Sequence, residues 1–327
     1  MRHTTRRRFL AEAAGSAAGA FVCTGICGGV GPELFAGVGT ALAAEAGPSM
    51  RFPEAARERI AIASYPFRDF IAGLGDKAGR GKMELKEFAA HVAAKFKITR
   101  IEPWSAHFRS LDKDYLKELA VATGEAYVSI VNIAVDGEHS PYAADSAERE
   151  RAVAFSKQWI DAAVEIGSPS VRTNLPQAKD SKPDLERTAE SLKRVAEYGA
   201  AKNVVVNMEN DNAVSEDPFF LVKVIEKVNS EWLHALPDFA NTLAAYEEAY
   251  AYRGIEAMFG HAYNISHVKE TEVGDGKDKI AHVDLARTFG IAKQHGYKGY
   301  FSMEWDSPGD PYAGTTGLIE KTLQNLS

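Results

Sequence analysis

Eight short apolar stretches recur between Ile60 and Glu304, each followed by a segment of helical periodicity. The expected strands are Ile60–Tyr65, Thr99–Pro103, Tyr127–Ile133, Ser170–Thr173, Val204–Glu209, His234–Asp238, Tyr263–Val268 and Gly299–Glu304. Runs such as Val204-Val205-Val206 show no polar alternation, as expected of strands covered on both faces. Between strands, Phe88, Val92 and Phe96 recur every four residues, and Phe155, Trp159 and Ile166 share another helical face. Asp217-Pro218 supplies an N-cap and a first-turn proline, while Ile166-Gly167 and His295-Gly296 read as helix stops. Eight such units in about 280 residues have the rhythm of an α/β fold, a single (βα)8 TIM barrel. A doubly wound open sheet would place a glycine-rich phosphate loop after its first strand. Here that strand runs into Ser64-Tyr65-Pro66-Phe67-Arg68.

The first 45 residues read differently. Thr5-Arg6-Arg7-Arg8-Phe9-Leu10 opens a stretch of Ala, Gly, Val and Phe that ends at a small-residue site, Ala41-Leu42-Ala43. This pattern is an export signal, and its paired arginines before Phe-Leu resemble the twin-arginine type. The expected division is therefore a signal segment over 1–45 and a barrel domain over 46–327. The mature protein is expected to be exported by the twin-arginine machinery, periplasmic or secreted, without stable membrane insertion. Cys23 and Cys27 both fall in the signal and neither follows a small residue, so no lipidated cysteine is expected. Disulfides, thiolate metal sites and cysteine nucleophiles are excluded from the barrel with them. Removing residues 1–43 leaves 34 basic against 43 acidic residues, net −9. An acidic chain without basic runs is a poor partner for nucleic acid.

Barrel active sites form at the loops that follow the strands. There the chain presents Arg68, Glu102 with His107, Asn132, Arg172 with Asn174, Glu209, Asp238, His267 with Lys269, and Glu304. Glu209, Asp238, His267 and Glu304 end four successive strands at intervals of 29, 29 and 37 residues. Three hard carboxylates and one imidazole converging on one mouth suit a divalent cation with two coordination positions open. Mn²⁺ is the first choice, with Mg²⁺, Co²⁺ or Zn²⁺ as alternatives. Such an ion would polarise the carbonyl of a hydroxy-ketone and stabilise the enediolate formed by proton loss. Glu209 and Glu304 are the expected catalytic base and acid, returning the proton to the opposite face or the neighbouring carbon.

The motifs NMEND, PDFAN, ISHVK and SMEW, with IEPWSAHF on the second strand, resemble the xylose isomerase-like barrel superfamily in its sugar phosphate isomerase/epimerase branch. The resemblance runs from about Arg59 to Ser327. It implies metal ligands Glu209, Asp238, His267 and Glu304, with the two glutamates exchanging the substrate proton. Two places depart from the epimerases of that branch. Asn241 stands where they carry a substrate-binding histidine, and Lys269-Glu270-Thr271-Glu272 where an arginine is usual.

The expected function is thus a metal-dependent isomerase or epimerase of a sugar or cyclitol. Glu102, His107, Asn132, Arg172, Asn241 and Lys269 are the expected substrate-binding residues. Trp305 is weighed as an apolar wall against a sugar ring or a packing residue, and Asp211 and Asp306 as outer partners of the site. The partner is a small carbohydrate, with self-association open. The alternatives on the same barrel are a lyase or hydrolase acting on 3-keto-glycosides by β-elimination, or a carbohydrate-binding barrel without turnover. An endonuclease of this superfamily would need several more strand-end histidines and a basic face.

Overall fold

A computed structural model describes residues 47–73, 81–215, 217–273 and 280–327, the side chains of 212 and 213 apart. The expected signal segment and both cysteines lie outside the described residues. The strands are β1 (Ile60–Ala63), β2 (Arg100–Glu102), β3 (Ser129–Ile130), β4 (Ile133–Ala134), β5 (Ser170–Thr173), β6 (Val205–Glu209), β7 (Leu233–Leu236), β8 (Ile265–Val268), β9 (Thr271–Val273), β10 (Ile280–His282) and β11 (Tyr300–Met303). All but β9 and β10 are parallel neighbours and form two sheets, ordered β3-β2-β1-β11-β8 and β4-β5-β6-β7. β3 and β4 are one stave broken at Val131-Asn132. On the far side, parallel bridges Ala235–Ala262 and Asp238–His267 join β7 to β8. The eight staves therefore close into a (βα)8 barrel, as the strand and helix rhythm predicts.

The helices form for the reasons read from the chain. In Leu85–Phe96 the buried Leu85, Phe88, Ala89, Val92 and Phe96 make one apolar stripe. Asp217 accepts bonds from the Phe219 and Phe220 amides and so caps the helix Pro218–Val228. Gly167, at φ 73°, ends the helix Ser146–Ile166 in the left-handed conformation that glycine reaches without strain. Among the described residues no helix is long and apolar enough to cross a membrane.

Strand alternation divides the core in two. Outward-facing Ile60, Ile62, Ile101, Val206 and Phe301 pack with the helices. A small inner cluster of Ala61, Val131, Leu236 and Ile265 fills part of the barrel interior. At the end where the strands begin, Phe52 sits edge-on to Tyr263 and Tyr300 at 5.6 and 5.7 Å. The β9–β10 hairpin was not anticipated. It is antiparallel, follows β8 directly, and accounts for the longer 37-residue interval between His267 and Glu304.

Candidate active site

A cavity of about 430 Å³ opens where the strands end. Its walls come from the C-terminal end of each stave or the segment after it: Tyr65 and Arg68, Trp104, Asp136, Arg172 and Asn174, Glu209, Asn241, Lys269 and Glu272, and Glu304. That volume falls within the range of small-molecule sites.

Two members of the four-residue cluster, Glu209 and Glu304, line this cavity, while Asp238 and His267 are fully buried beside them. One donor atom from each of Glu209, Asp238, His267 and Glu304 lies within 4.8 Å of the others. Glu209 is the last residue of β6, His267 the third of β8, and Glu304 follows β11. Asp238 is placed by its neighbours. Asn210 Oδ1 accepts the Asp238 amide at 2.7 Å, and Asn210 Nδ2 donates to the Asp238 carbonyl at 3.1 Å. Asp238 Oδ1 accepts the Ala240 and Asn241 amides, both at 2.8 Å. Its other oxygen, Oδ2, is buried without a hydrogen bond.

Two buried cations offset the carboxylates. Arg172 Nε stands 2.7 Å from Glu209 Oε2 as an ion pair, off the line a hydrogen bond needs. The same guanidinium donates to the Val135 carbonyl and to Asp136. Lys269 Nζ donates to Asn241 Oδ1 and Glu272 Oε2 at 2.9 Å and lies 3.2 Å from Glu304 and 3.6 Å from Asp238. His267 Nδ1 lies 2.7 Å from Glu209 Oε1 and 3.2 Å from Glu304 Oε2.

Crowding acids in a dry barrel splits their behaviour. Burial pushes Asp238 up to about 7, with Glu209 and Glu304 adding to the rise and Lys269 opposing it. Burial also raises Glu209, against the pull of Arg172 and His267. At Glu304 burial is outweighed by His267 and Lys269, so this carboxyl lies below the usual range. Burial would neutralise His267, but Glu102, Glu209 and Glu304 hold it well above an ordinary imidazole. The donor set fits a divalent ion. Asp238 Oδ2 accepts no hydrogen bond, Glu209 Oε2 has only its ion pair with Arg172, and an imidazole nitrogen and a third carboxylate face them.

Of the residues expected to bind substrate, Arg172, Asn241 and Lys269 line the cavity. Glu102, His107 and Asn132 do not. They are fully buried beneath it. Glu102 is turned inward by His267 and Asn132, and Asn132 by Ser170. His107 Nδ1 shares a 2.8 Å hydrogen bond with the Ser64 hydroxyl, and its ring packs edge-on against Trp104. The aromatic wall is also elsewhere. Trp104 and Tyr65 meet edge-on at 5.1 Å in the cavity, and Arg68 lies over the Tyr65 ring. Trp305 packs so closely on Gly314 that a Cβ there would stand 2.2 Å from its indole. Tyr65 and Trp104 follow β1 and β2 directly, and that placement was the signal available for them. Asp306 pairs with Arg68 at 2.9 Å, and Asp211 accepts from Asn174. Glu272 reaches the cavity only because β9 folds back, which no periodicity announces.

A family model described as xylose isomerase-like TIM barrel matches residues 90–324. None of the curated proteins compared with this chain matches it by sequence. Several solved structures share the fold. L-ribulose 3-epimerase is 18% identical, with a TM-score of 0.64 over 82% of this chain and 95% of its own. The 3-keto-D-glucoside 4-epimerase of E. coli is 13% identical, with a TM-score of 0.60 over 81% and 98%. A xylose isomerase-like TIM barrel protein from Mycobacterium smegmatis, in complex with magnesium, is 15% identical, with a TM-score of 0.61 over 88% and 98%. At these identities the likeness carries the fold alone.

Proposed function

The chain belongs to the xylose isomerase-like TIM barrel family, and on that footing we propose that it is a metal-dependent isomerase or epimerase of a sugar or cyclitol. The observation that carries this reading is the buried cluster of Glu209, Asp238, His267 and Glu304, two of whose carboxylates, Glu209 and Glu304, line a polar cavity. Those four residues would hold a divalent ion, Mn²⁺ by first choice, which when bound supplies Lewis-acid polarisation of a substrate carbonyl.

The remaining work falls to side chains of the cavity. Glu209 and Glu304 both line it, so both reach a bound sugar and are assigned the removal and return of its proton. Arg172 and Lys269 hold these two carboxylates in place through direct ion pairs. Asn241 and Lys269 present hydrogen-bonding groups where the epimerases of the resemblance use a histidine and an arginine. Tyr65 and Trp104 offer an apolar wall to the ring face. The neighbours named as a ribulose epimerase and a keto-glucoside epimerase support a carbohydrate substrate.

The decisive experiment follows solvent deuterium into ketoses, inososes and 3-keto-glycosides with Mn²⁺-loaded protein. Glu209→Gln and Glu304→Gln should each lower exchange at least a hundredfold. Exchange untouched by both changes would falsify the proton-transfer assignment. Release of an aglycone in place of an isomeric sugar selects β-elimination instead.

The division into an export signal over 1–45 and a barrel over 46–327 belongs to the same proposal, as does a periplasmic or secreted location. Lysine in place of Arg6 and Arg7 should leave the protein inside the cell. Normal export of that variant removes the twin-arginine assignment.

A further inference from the structure

We propose that Glu102 is a positioning residue for this centre, holding the His267 imidazole with Nε2 protonated so that Nδ1 is the nitrogen that gives up its proton to an ion. The inference rests on the metal reading of the four-residue cluster. It concerns a residue that lies outside both that cluster and the cavity wall.

At Glu102 a carboxylate stands where a barrel interior would hold an aliphatic side chain. Glu102 is fully buried, where an unpaired charge is strongly disfavoured. Both its oxygens lie 2.9 Å from His267 Nε2. Asn132 Nδ2 donates to Oε1 at 2.7 Å. Behind Asn132, a directional chain crosses the barrel. Ser170 Oγ donates to Asn132 Oδ1 at 2.6 Å, Asn264 Nδ2 donates to Ser170 Oγ at 2.8 Å, and Asn207 Nδ2 donates to Asn264 Oδ1 at 3.0 Å.

Only one proton arrangement satisfies this chain. An ionised carboxylate accepts and cannot donate, so Asn132 must turn its NH₂ toward Glu102 and its oxygen toward Ser170. The single Ser170 proton then goes to Asn132 Oδ1 at 2.6 Å and not to the Val131 carbonyl at 3.1 Å, and its lone pair is left for Asn264. The same logic puts a proton on His267 Nε2. The other ring nitrogen, Nδ1, is the one that faces Glu209 and Glu304. With a divalent ion in place, Nδ1 loses its proton while Nε2 keeps its own. A carboxylate behind a ligating imidazole also raises the basicity of the ligand nitrogen.

The test is calorimetric titration of Mn²⁺ into metal-free full-length protein. Glu102→Gln preserves volume and removes the charge. It should raise the dissociation constant about ten- to a hundredfold, while His267→Ala should abolish tight uptake. A folded Glu102→Gln that binds Mn²⁺ like the parent overturns the proposal and leaves the metal reading standing. A parent protein that takes up no ion overturns both. A second readout needs no variant at Glu102. In imidazole ¹⁵N spectra of Mg²⁺-loaded protein, His267 should show a protonated Nε2 and an ion-shifted Nδ1. The reverse assignment also overturns the proposal. A merely structural Glu102 would change apo-protein stability without moving either readout.

Discussion

His107 and His267 are both fully buried histidines on the same side of the barrel, yet their surroundings push them in opposite directions. Around His267 three carboxylates outweigh burial and favour the charged ring. Around His107 there is no acid to do this. Burial, aided by the Arg68 charge, lowers it to about 4. The consequence for stability has a definite sign. Above the unfolded-state value near 6.5 both states hold a neutral ring, and His107 is without penalty. As pH falls toward 4 the unfolded chain takes up a proton that the folded one refuses, and stability declines by up to about 3 kcal/mol. Denaturant unfolding at pH 7 and pH 4.5 should therefore show a smaller acid loss in His107→Asn than in the parent. Equal losses would remove His107 from the acid response. The sequence exposes the type and position of both histidines. It does not reveal which face of the loop after β2 turns inward, so His107 read as a cavity residue.

The elements were the most legible part of the chain. Every expected strand has a counterpart, because buried parallel strands bear an unbroken apolar run that no loop can carry. Caps at Asp217 and Gly167 also stand where local chemistry puts them. The β9–β10 hairpin escaped because three-residue strands carry too few alternations to be seen. Packing of the last helix, Pro311–Leu326, yields a prediction at this level. Alanine for glycine inside a helix normally gains about 0.5–1 kcal/mol. At Gly317 a new Cβ meets nothing within 4 Å, so Gly317→Ala should show that gain. At Gly314 the Cβ would collide with the Trp305 indole. Overpacking there should dominate, and Gly314→Ala should lose about 1–3 kcal/mol in denaturant titrations. Equal effects at the two sites would mean the helix shifts freely on β11.

In the whole barrel, the cluster sits across the seam between two sheets. Glu209 and Asp238 come from the side of β6 and β7, His267 and Glu304 from β8 and β11. Isolated bridges, the bonds His267 N to Pro237 O and Phe239 N to His267 O, and the Ser266 hydroxyl donating to Pro237 O join β7 to β8 there. An ion held by all four would fasten that seam. Mn²⁺ at a hundred times its dissociation constant should add about 2.7 kcal/mol to unfolding, read as a higher Tm that EDTA reverses. His267→Ala should lose most of the increment. A Tm indifferent to Mn²⁺, Mg²⁺ and EDTA would remove the ion from the account of this molecule. Chain order and side-chain type were enough to establish the barrel and to nominate the four residues, since both are written in periodicities of a few residues. The tertiary structure alone decided that Glu102 and Asn132 stand behind His267, that Trp104 and not Trp305 walls the cavity, and that Glu272 joins it. Those outcomes depend on how the segments after the strands turn and on what crosses the barrel from distant strands, and local spacing, which sets facing only within a strand, encodes neither.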